Sequence, residues 1–443
     1  MAERKRDKLK QLTASWAGRT WGAGKMAASL GKAAAKKVVV ASTGADDDAL
    51  GEALTENLDA MKGLAMKVGQ MVSYLDGALP PDAQRVLERL QQSSQPMEWE
   101  RIAPVIEEAF DATVEELYDS MQQEAMAAAS IGQVHRAVYN GRDVAVKIQY
   151  PGIAATFNVD LGNLKRLGLL ATLGTSLDRH TLVQELRDRL RDECNYEREG
   201  QAQTLFRELF ADDPRIFIPE IFPERVRQTV LTSELAPGHK FYDFVQTASQ
   251  EEKNQAGLLI WEFMFQSIFQ HCALQADPHP GNYLFPDDGR VVFLDFGCVR
   301  FFDAEFIEIW KSIATTMRDD QPEDLPDAMV ASGIVPNPDN YDWDAHLKAM
   351  DYMYEPMKAP TFKFTRDWAA QSLDIVGWGN PNKFKTAMPP EWLFVNRLQW
   401  GLFSVMALLE AEGDFGTPFW AAVATPALST EHRLDTMFDA EAS

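Results

Sequence analysis

Cysteine, long apolar runs, positive charge and the usual glycine-rich nucleotide loop are all scarce in this chain of 443 residues. Its three cysteines, Cys194, Cys272 and Cys298, are odd in number and form no CxxC pair. That excludes a disulfide-stapled fold and points to reduced thiols in a cytosol-like compartment. No segment reads as a transmembrane helix. The best candidate, 392–409, is interrupted by Asn396, Arg397 and Gln399, so it is expected to be a buried amphipathic helix. No apolar h-region follows the start, which argues against a secretory signal, and no repeat at solenoid periods is visible. With 43 Lys+Arg against 66 Asp+Glu the net charge is -23, a field that repels nucleic-acid phosphates.

What remains is ordinary globular material: 46% hydrophobic and 25% charged, with length enough for two or three domains. The charge is uneven. Residues 1–37 hold ten Lys/Arg but only Glu3 and Asp7, so they carry +8 and leave -31 on the rest. With Trp16 and Trp21, this basic arm is a candidate for peripheral contact with anionic lipid, and a solvated tail is the plainer reading.

Apolar residues recur at helical spacing over 54–75, and helices are expected again at 83–90, 102–110 and 114–118. The pattern then changes to strands at 127–137 and 143–149, joined by Asn140-Gly141, a strong hairpin signal. Helices follow to about 209, short strands near 215–234, and a helix over 251–272. Strands at 283–285 and 291–294 flank Asp287-Asp288-Gly289, and the chain is mostly helical from about 304.

The chemistry concentrates in two stretches joined by that second hairpin. Asp277 and Asn282 lie five apart in 275–282, and Asp295-Phe296-Gly297 follows directly. This is the spacing of a kinase catalytic loop and its metal-binding Asp-Phe-Gly: a carboxylate near the attacking hydroxyl, with an Asn and an Asp to hold Mg²⁺ on ATP phosphates. Upstream, Val144-Ala145-Val146-Lys147 is a strand ending in a lysine that can reach phosphates if a glutamate holds it. The candidate glutamates lie within 192–199. Where kinases place G-x-G-x-x-G, this chain has Ala127-Ala128-Ala129-Ser130, a stiffer phosphate-covering loop. Thr232 to Gly238 follows a strand where a hinge would bind adenine, so Glu234 is a cofactor-binding candidate. No A-P-E follows Gly297, which leaves little room for a peptide-docking activation segment. His279 lacks a second His or Cys at ligand spacing and is expected to stabilise its loop. Met350, Met353, Met357, Trp378, Trp392 and Trp400 are core by default and candidates to line an apolar lipid or quinone pocket.

Together these motifs resemble the UbiB/AarF family of atypical kinase-like proteins, in order and spacing, across about 54–300. Lys67-Val68-Gly69-Gln70 matches its KxGQ motif, and together with the alanine-rich loop it is highly specific. The family's E-[LC]-D-Y reads Glu193-Cys194-Asn195-Tyr196 here, with a charge lost at Asn195. The resemblance implies an α+β, bilobal kinase-like fold: a basic arm at 1–50, a KxGQ-bearing helical extension over the active site at 51–122, a small lobe at 123–235, and a helical large lobe at 236–443. It also implies that Lys147 pairs with Glu193, that Asp277 is the catalytic aspartate, and that Asn282 and Asp295 hold Mg²⁺. Lys67 and Gln70 would occupy the space of a protein substrate.

The expected protein is therefore a Mg-ATP-dependent phosphotransferase or ATPase acting on a non-peptide target in isoprenoid-quinone or related lipid metabolism. It is expected in the cytoplasm, peripheral to a membrane at most, with a nucleotide and a lipid or quinone precursor as ligands. A small-molecule kinase like the aminoglycoside and choline kinases, and a nucleotide-regulated binding or scaffold protein with little turnover, are the alternatives.

Overall fold

Strict alternation along one strand sets up the small lobe. In β4 (Arg142–Gln149) the side chains of Val144, Val146 and Ile148 are fully buried, while Ala145 and Lys147 between them face the other side of the sheet. Each buried side chain stabilises the fold by about 1.5–3 kcal/mol. Their cover is α1 (Trp99–Phe110), which turns the wholly buried Ile102 and Ile106 into the same cluster, and α2 (Val114–Leu117) extends it. A capping box between Thr113 and Glu116 starts α2. The described part of the segment expected as a helical extension thus belongs to the small-lobe core.

The computed structural model describes residues 96–129, 131–153 and 194–438, less 320, 322, 374, 377, 378, 383, 384 and 388. The basic arm, Lys67, Gln70, Ser130, Glu193 and Trp378 lie outside the described residues.

The small-lobe sheet runs in the order β1 (Ser120–Met121), β3 (Gly132–Tyr139), β4, β6 (Val230–Glu234), with β2 (Ala127–Ala128) also paired to β3. All the pairings are antiparallel. The expected hairpin forms with Tyr139 opposite Arg142, and Asn140 and Gly141 both take positive φ, 51° and 74°. These are the angles a type I′ turn demands. The expected strand over 127–137 is instead two strands, because the chain doubles back between them. Ala127 pairs with Val134, Ala128 with Gln133, and Ala129 N–H bonds to the Gly132 carbonyl. Gly132 must be glycine there, since a Cβ would stand 2.2 Å from the Ile148 carbonyl oxygen.

The large lobe is built around a long helix. After α3 (Tyr196–Leu209) and α4 (Phe241–Thr247), α5 (Gln250–His271) begins at a Ser249–Glu252 capping box and ends where Cys272 turns left-handed. Eleven of its residues are buried, so it is apolar on nearly all sides, as a central helix must be. Of the three small sheets described in this lobe, one pairs Phe362–Lys363 with Glu412–Gly413, and the other two position the site. One has the order β5 (Ile216–Phe217), β10 (Val291–Phe293), β9 (Tyr283–Phe285), β7 (His239–Lys240). The other pairs β8 (Ala273–Gln275) with β11 (Val299–Phe301). Helices α6 (Ala304–Arg318), α7 (Leu325–Ala331), α8 (Trp343–Lys358), α9 (Arg366–Leu373), α10 (Pro390–Leu409) and α11 (Gly416–Ala424) complete the lobe. No helix among the described residues is long and apolar enough to cross a membrane, and 392–409 is the expected buried helix.

Candidate active site

Lys147 stands on the open face of β4, and helix α3 meets it. Asn195 caps α3 by accepting the Arg198 N–H, which sets the helical phase. Tyr196, Glu199, Gln203 and Phe206 then fall on one buried face. Lys147 Nζ donates to Glu199 Oε1 at 2.6 Å and lies 4.9 Å from the centre of the Tyr196 ring. Among the described residues, the glutamate that holds the lysine is Glu199, one of the candidates in 192–199. Glu193, the partner that the resemblance implies, lies outside the described residues. The family's departure at Asn195 is benign at this point, because Asn and Asp cap helices equally well.

Asp295 completes the lysine's surroundings, with Oδ2 3.7 Å from Lys147 Nζ. Burial opposes the charge on Lys147, but the Asp295 and Glu199 carboxylates outweigh it and hold the ammonium well above the usual lysine range. Asp295 itself has φ 59°. Among the described residues, the other four non-glycine residues with positive φ close a helix or the β3–β4 hairpin; Asp295 does neither. Such a conformation costs about 1–3 kcal/mol and persists where the surroundings enforce it. Here Gln275 enforces it, donating from Nε2 to the carbonyls of both Leu294 and Asp295. Gly297 N–H donates to Asp295 Oδ1 at 3.2 Å, and a Cβ on Gly297 would press on Glu199 and Asp295 at 3.1 and 3.3 Å.

The catalytic-type loop leaves β8 and is tied to the same unit. Ala276 N–H bonds to the Cys298 carbonyl, and Leu294 N–H to that of Asn282. Asn282 donates its amide N–H to the Asp277 carbonyl, which orients its amide oxygen as the remaining acceptor. His279 Nδ1 accepts from Gly281 N–H, so this histidine stabilises its loop as expected. Among the described residues no group of three or more His, Cys, Asp or Glu forms a metal cluster. Asn282 and Asp295 nevertheless offer hard oxygen donors, the type that Mg²⁺ takes from a protein when phosphates and waters supply the rest.

One participant escaped the sequence reading. Arg397, on α10, reaches across the lobe and donates from Nη2 to Asp277 Oδ1 at 2.7 Å. Its side chain is 4% exposed and that of Asp277 16%. One turn further along α10, Gly401 presses on the same loop: a Cβ there would lie 2.5 Å from Pro278 Cγ. A separation of 120 residues hides this contact from any local pattern. The available signal was an arginine, flanked by Asn396 and Gln399, in a mostly apolar buried helix.

The remaining candidates have less to show. Ala127, Ala128 and Ala129 form the β2–β3 hairpin beside the cleft face of β4. Glu234 ends β6, where its N–H bonds to the Glu220 carbonyl and its carboxylate accepts from Glu220 N–H and faces Arg207 at 3.7 Å. Its side chain is thus committed to structure. From Gly297 the chain runs through β11 into α6 at Ala304, with no extended activation segment between.

Residues 89–323 match the model of the ABC1 atypical kinase-like domain, over half of the chain. The chain belongs to the ABC1 atypical kinase-like family. Its similarity to curated relatives is broad: 34% identity over 320 residues to the atypical kinase COQ8B, mitochondrial, of Rattus norvegicus, covering 70% of this chain and 60% of the relative. The atypical kinase COQ8, mitochondrial, of Saccharomyces cerevisiae is 32% identical, covering 72% and 66%. In neither case does the match span two thirds of the relative's length. Among solved structures, Rv3197 of Mycobacterium tuberculosis, in complex with erythromycin, superposes with a TM-score of 0.62 at 26% identity, covering 88% of this chain and 96% of that one. The kinase-like α+β fold expected from the motifs is therefore the fold of a solved relative, and ABC1 membership agrees with the UbiB-type resemblance.

Proposed function

We propose that this ABC1-family chain is a Mg-ATP-dependent phosphotransferase or ATPase with a non-peptide target, acting in isoprenoid-quinone or related lipid metabolism. The observation that carries it is the Lys147–Glu199 ion pair with Asp295 beside it, an arrangement that holds a cation where nucleotide phosphates bind in kinases. Lys147 steadies the phosphates, Asn282 and Asp295 would hold Mg²⁺, and Asp277 faces the attacking group. Magnesium, when bound, neutralises charge developing on the transferred phosphoryl group. The short passage from Gly297 to Ala304 supports a target other than peptide. Lys67 and Gln70 over the site and the basic arm on anionic lipid remain part of this proposal through resemblance and charge.

A second reading has one observation in its favour: Asp277 is already engaged by the buried Arg397, as suits a nucleotide-regulated binding protein with little turnover. ATP hydrolysis by the full chain, measured with and without anionic liposomes, separates the two. Mg-dependent hydrolysis that Asp295→Asn abolishes supports the enzyme, and nucleotide binding without hydrolysis in either condition supports the binder. Tight Mg-ATP binding retained in Asp295→Asn refutes the metal assignment.

A further inference from the structure

The large lobe contains a cavity of about 190 Å³ between α6, α8 and α10, on the side of α10 away from the catalytic-type loop. Its walls include Trp310, Met350, Met353, Met357, Trp392 and Phe403. Four of the six residues singled out in the sequence for an apolar pocket are therefore on it; Trp400 is not, and Trp378 lies outside the described residues. The pocket is partly open, and its volume is enough for one ring, since apolar cavities of about 150 Å³ take up benzene. Methionine-rich walls adapt to irregular shapes, and aromatic walls favour flat ones.

Among the described residues, no Lys, Arg, Asp or Glu lines this cavity. A charged ligand would lose its water and gain no counter-charge from these residues, which favours neutral molecules. Polar groups are present all the same: Asn380, Asn396, Gln399 and His346 are on the lining. His346 is 8% exposed; its Nδ1 lies 3.0 Å from the Tyr341 hydroxyl, and its Nε2 has no partner among the described residues. With the tyrosine donating to Nδ1, a single group is left wanting, the Nε2 proton. The opposite arrangement strands both the hydroxyl proton and Nε2. Burial lowers the His346 pKa to about 4, so the ring is neutral near pH 7. A buried donor without a partner is stabilised when a ligand brings an acceptor oxygen.

From this cavity we infer a binding site for a compact, neutral, apolar molecule of about one ring, bearing a single oxygen at its polar end. The assignment needs no nucleotide and stands independently of the phosphotransfer reading.

Calorimetric titration of the full chain with benzyl alcohol tests it, with benzoate as the charged control of similar shape. A saturable one-site isotherm for benzyl alcohol, at least tenfold weaker for benzoate, is expected. Ala349→Phe fills the cavity from α8 and is expected to weaken benzyl alcohol at least tenfold. Because overpacking can unfold a core, crystals of the unaltered chain soaked in 4-bromobenzyl alcohol give a second readout. Bromine anomalous density among Met353, Trp392 and His346 supports the site. Density only elsewhere, no density, or benzoate binding as tightly as benzyl alcohol overturns it.

Discussion

Glu199 and Glu193 make different proteins of the same sequence, and one substitution at each tells them apart. Lys147 donates to Glu199 across 2.6 Å, with the two side chains 17% and 3% exposed. Glu199→Gln keeps the shape and an acceptor oxygen but removes the charge. A hydrogen bond to a charged partner contributes about 1.5–3 kcal/mol, and each 1.4 kcal/mol is tenfold. ATP turnover is therefore expected to fall by about 10- to 150-fold in Glu199→Gln, against less than about twofold in Glu193→Gln. The loss in stability is smaller than the 3–5 kcal/mol typical of a broken buried pair, because Asp295 remains 3.7 Å from the ammonium. Steady-state ATP hydrolysis and denaturant unfolding, run on both variants and on Lys147→Met, complete the test. On the Lys147→Met background, Glu199→Gln is expected to cause no further loss, since its partner is gone. Wild-type turnover in Glu199→Gln with a tenfold drop in Glu193→Gln refutes the pairing.

Two further expectations concern α10 and α8. Asp277→Asn keeps an acceptor oxygen but takes the carboxylate charge from the buried Arg397 guanidinium, and is expected to destabilise the fold by about 1.5–3 kcal/mol, while Arg397→Met added to it recovers part of that loss in denaturant titrations; strictly additive effects refute the coupling. His346 binds its proton at about pH 4 when folded and near 6.5 when unfolded, so the unfolded state binds more protons between those values and stability drops as pH falls through them, by about 3 kcal/mol in all. His346→Asn is expected to flatten that slope, and an unchanged slope refutes the assignment.

Local chemistry made much of this fold legible. Asn140-Gly141 tolerates two positive φ angles, Val144 to Ile148 alternates because strands do, and Ser249 with Glu252 announces α5. The break between β2 and β3 was not legible, because alanines carry no turn signature and the need for Gly132 comes from a carbonyl on the neighbouring strand. The choice among the glutamates depended on helical phase. Once Asn195 is taken as the cap, Tyr196, Glu199, Gln203 and Phe206 fall on one face, and the single charge on that face is the partner to expect for the lysine. Arg397 was beyond reach for another reason: nothing near position 397 refers to Asp277.

That contact changes what α10 is for. Arg397 and Gly401 are four apart, so they share a face, and that face lies on Asp277 and Pro278. Val395, Leu398 and Leu402 line the cavity on the other side. In a typical kinase an extended activation segment follows the Asp-Phe-Gly and shapes the substrate side of the catalytic loop. Here the chain enters α6 within a few residues of Gly297, and support for the catalytic-type loop comes instead from a helix near the other end of the lobe. A buried arginine is expensive to desolvate, and its carboxylate partner repays that only while the geometry holds. The loop's position is therefore as firm as the packing of α10, and any molecule that fills the cavity on the far side of α10 bears on the helix that holds Asp277.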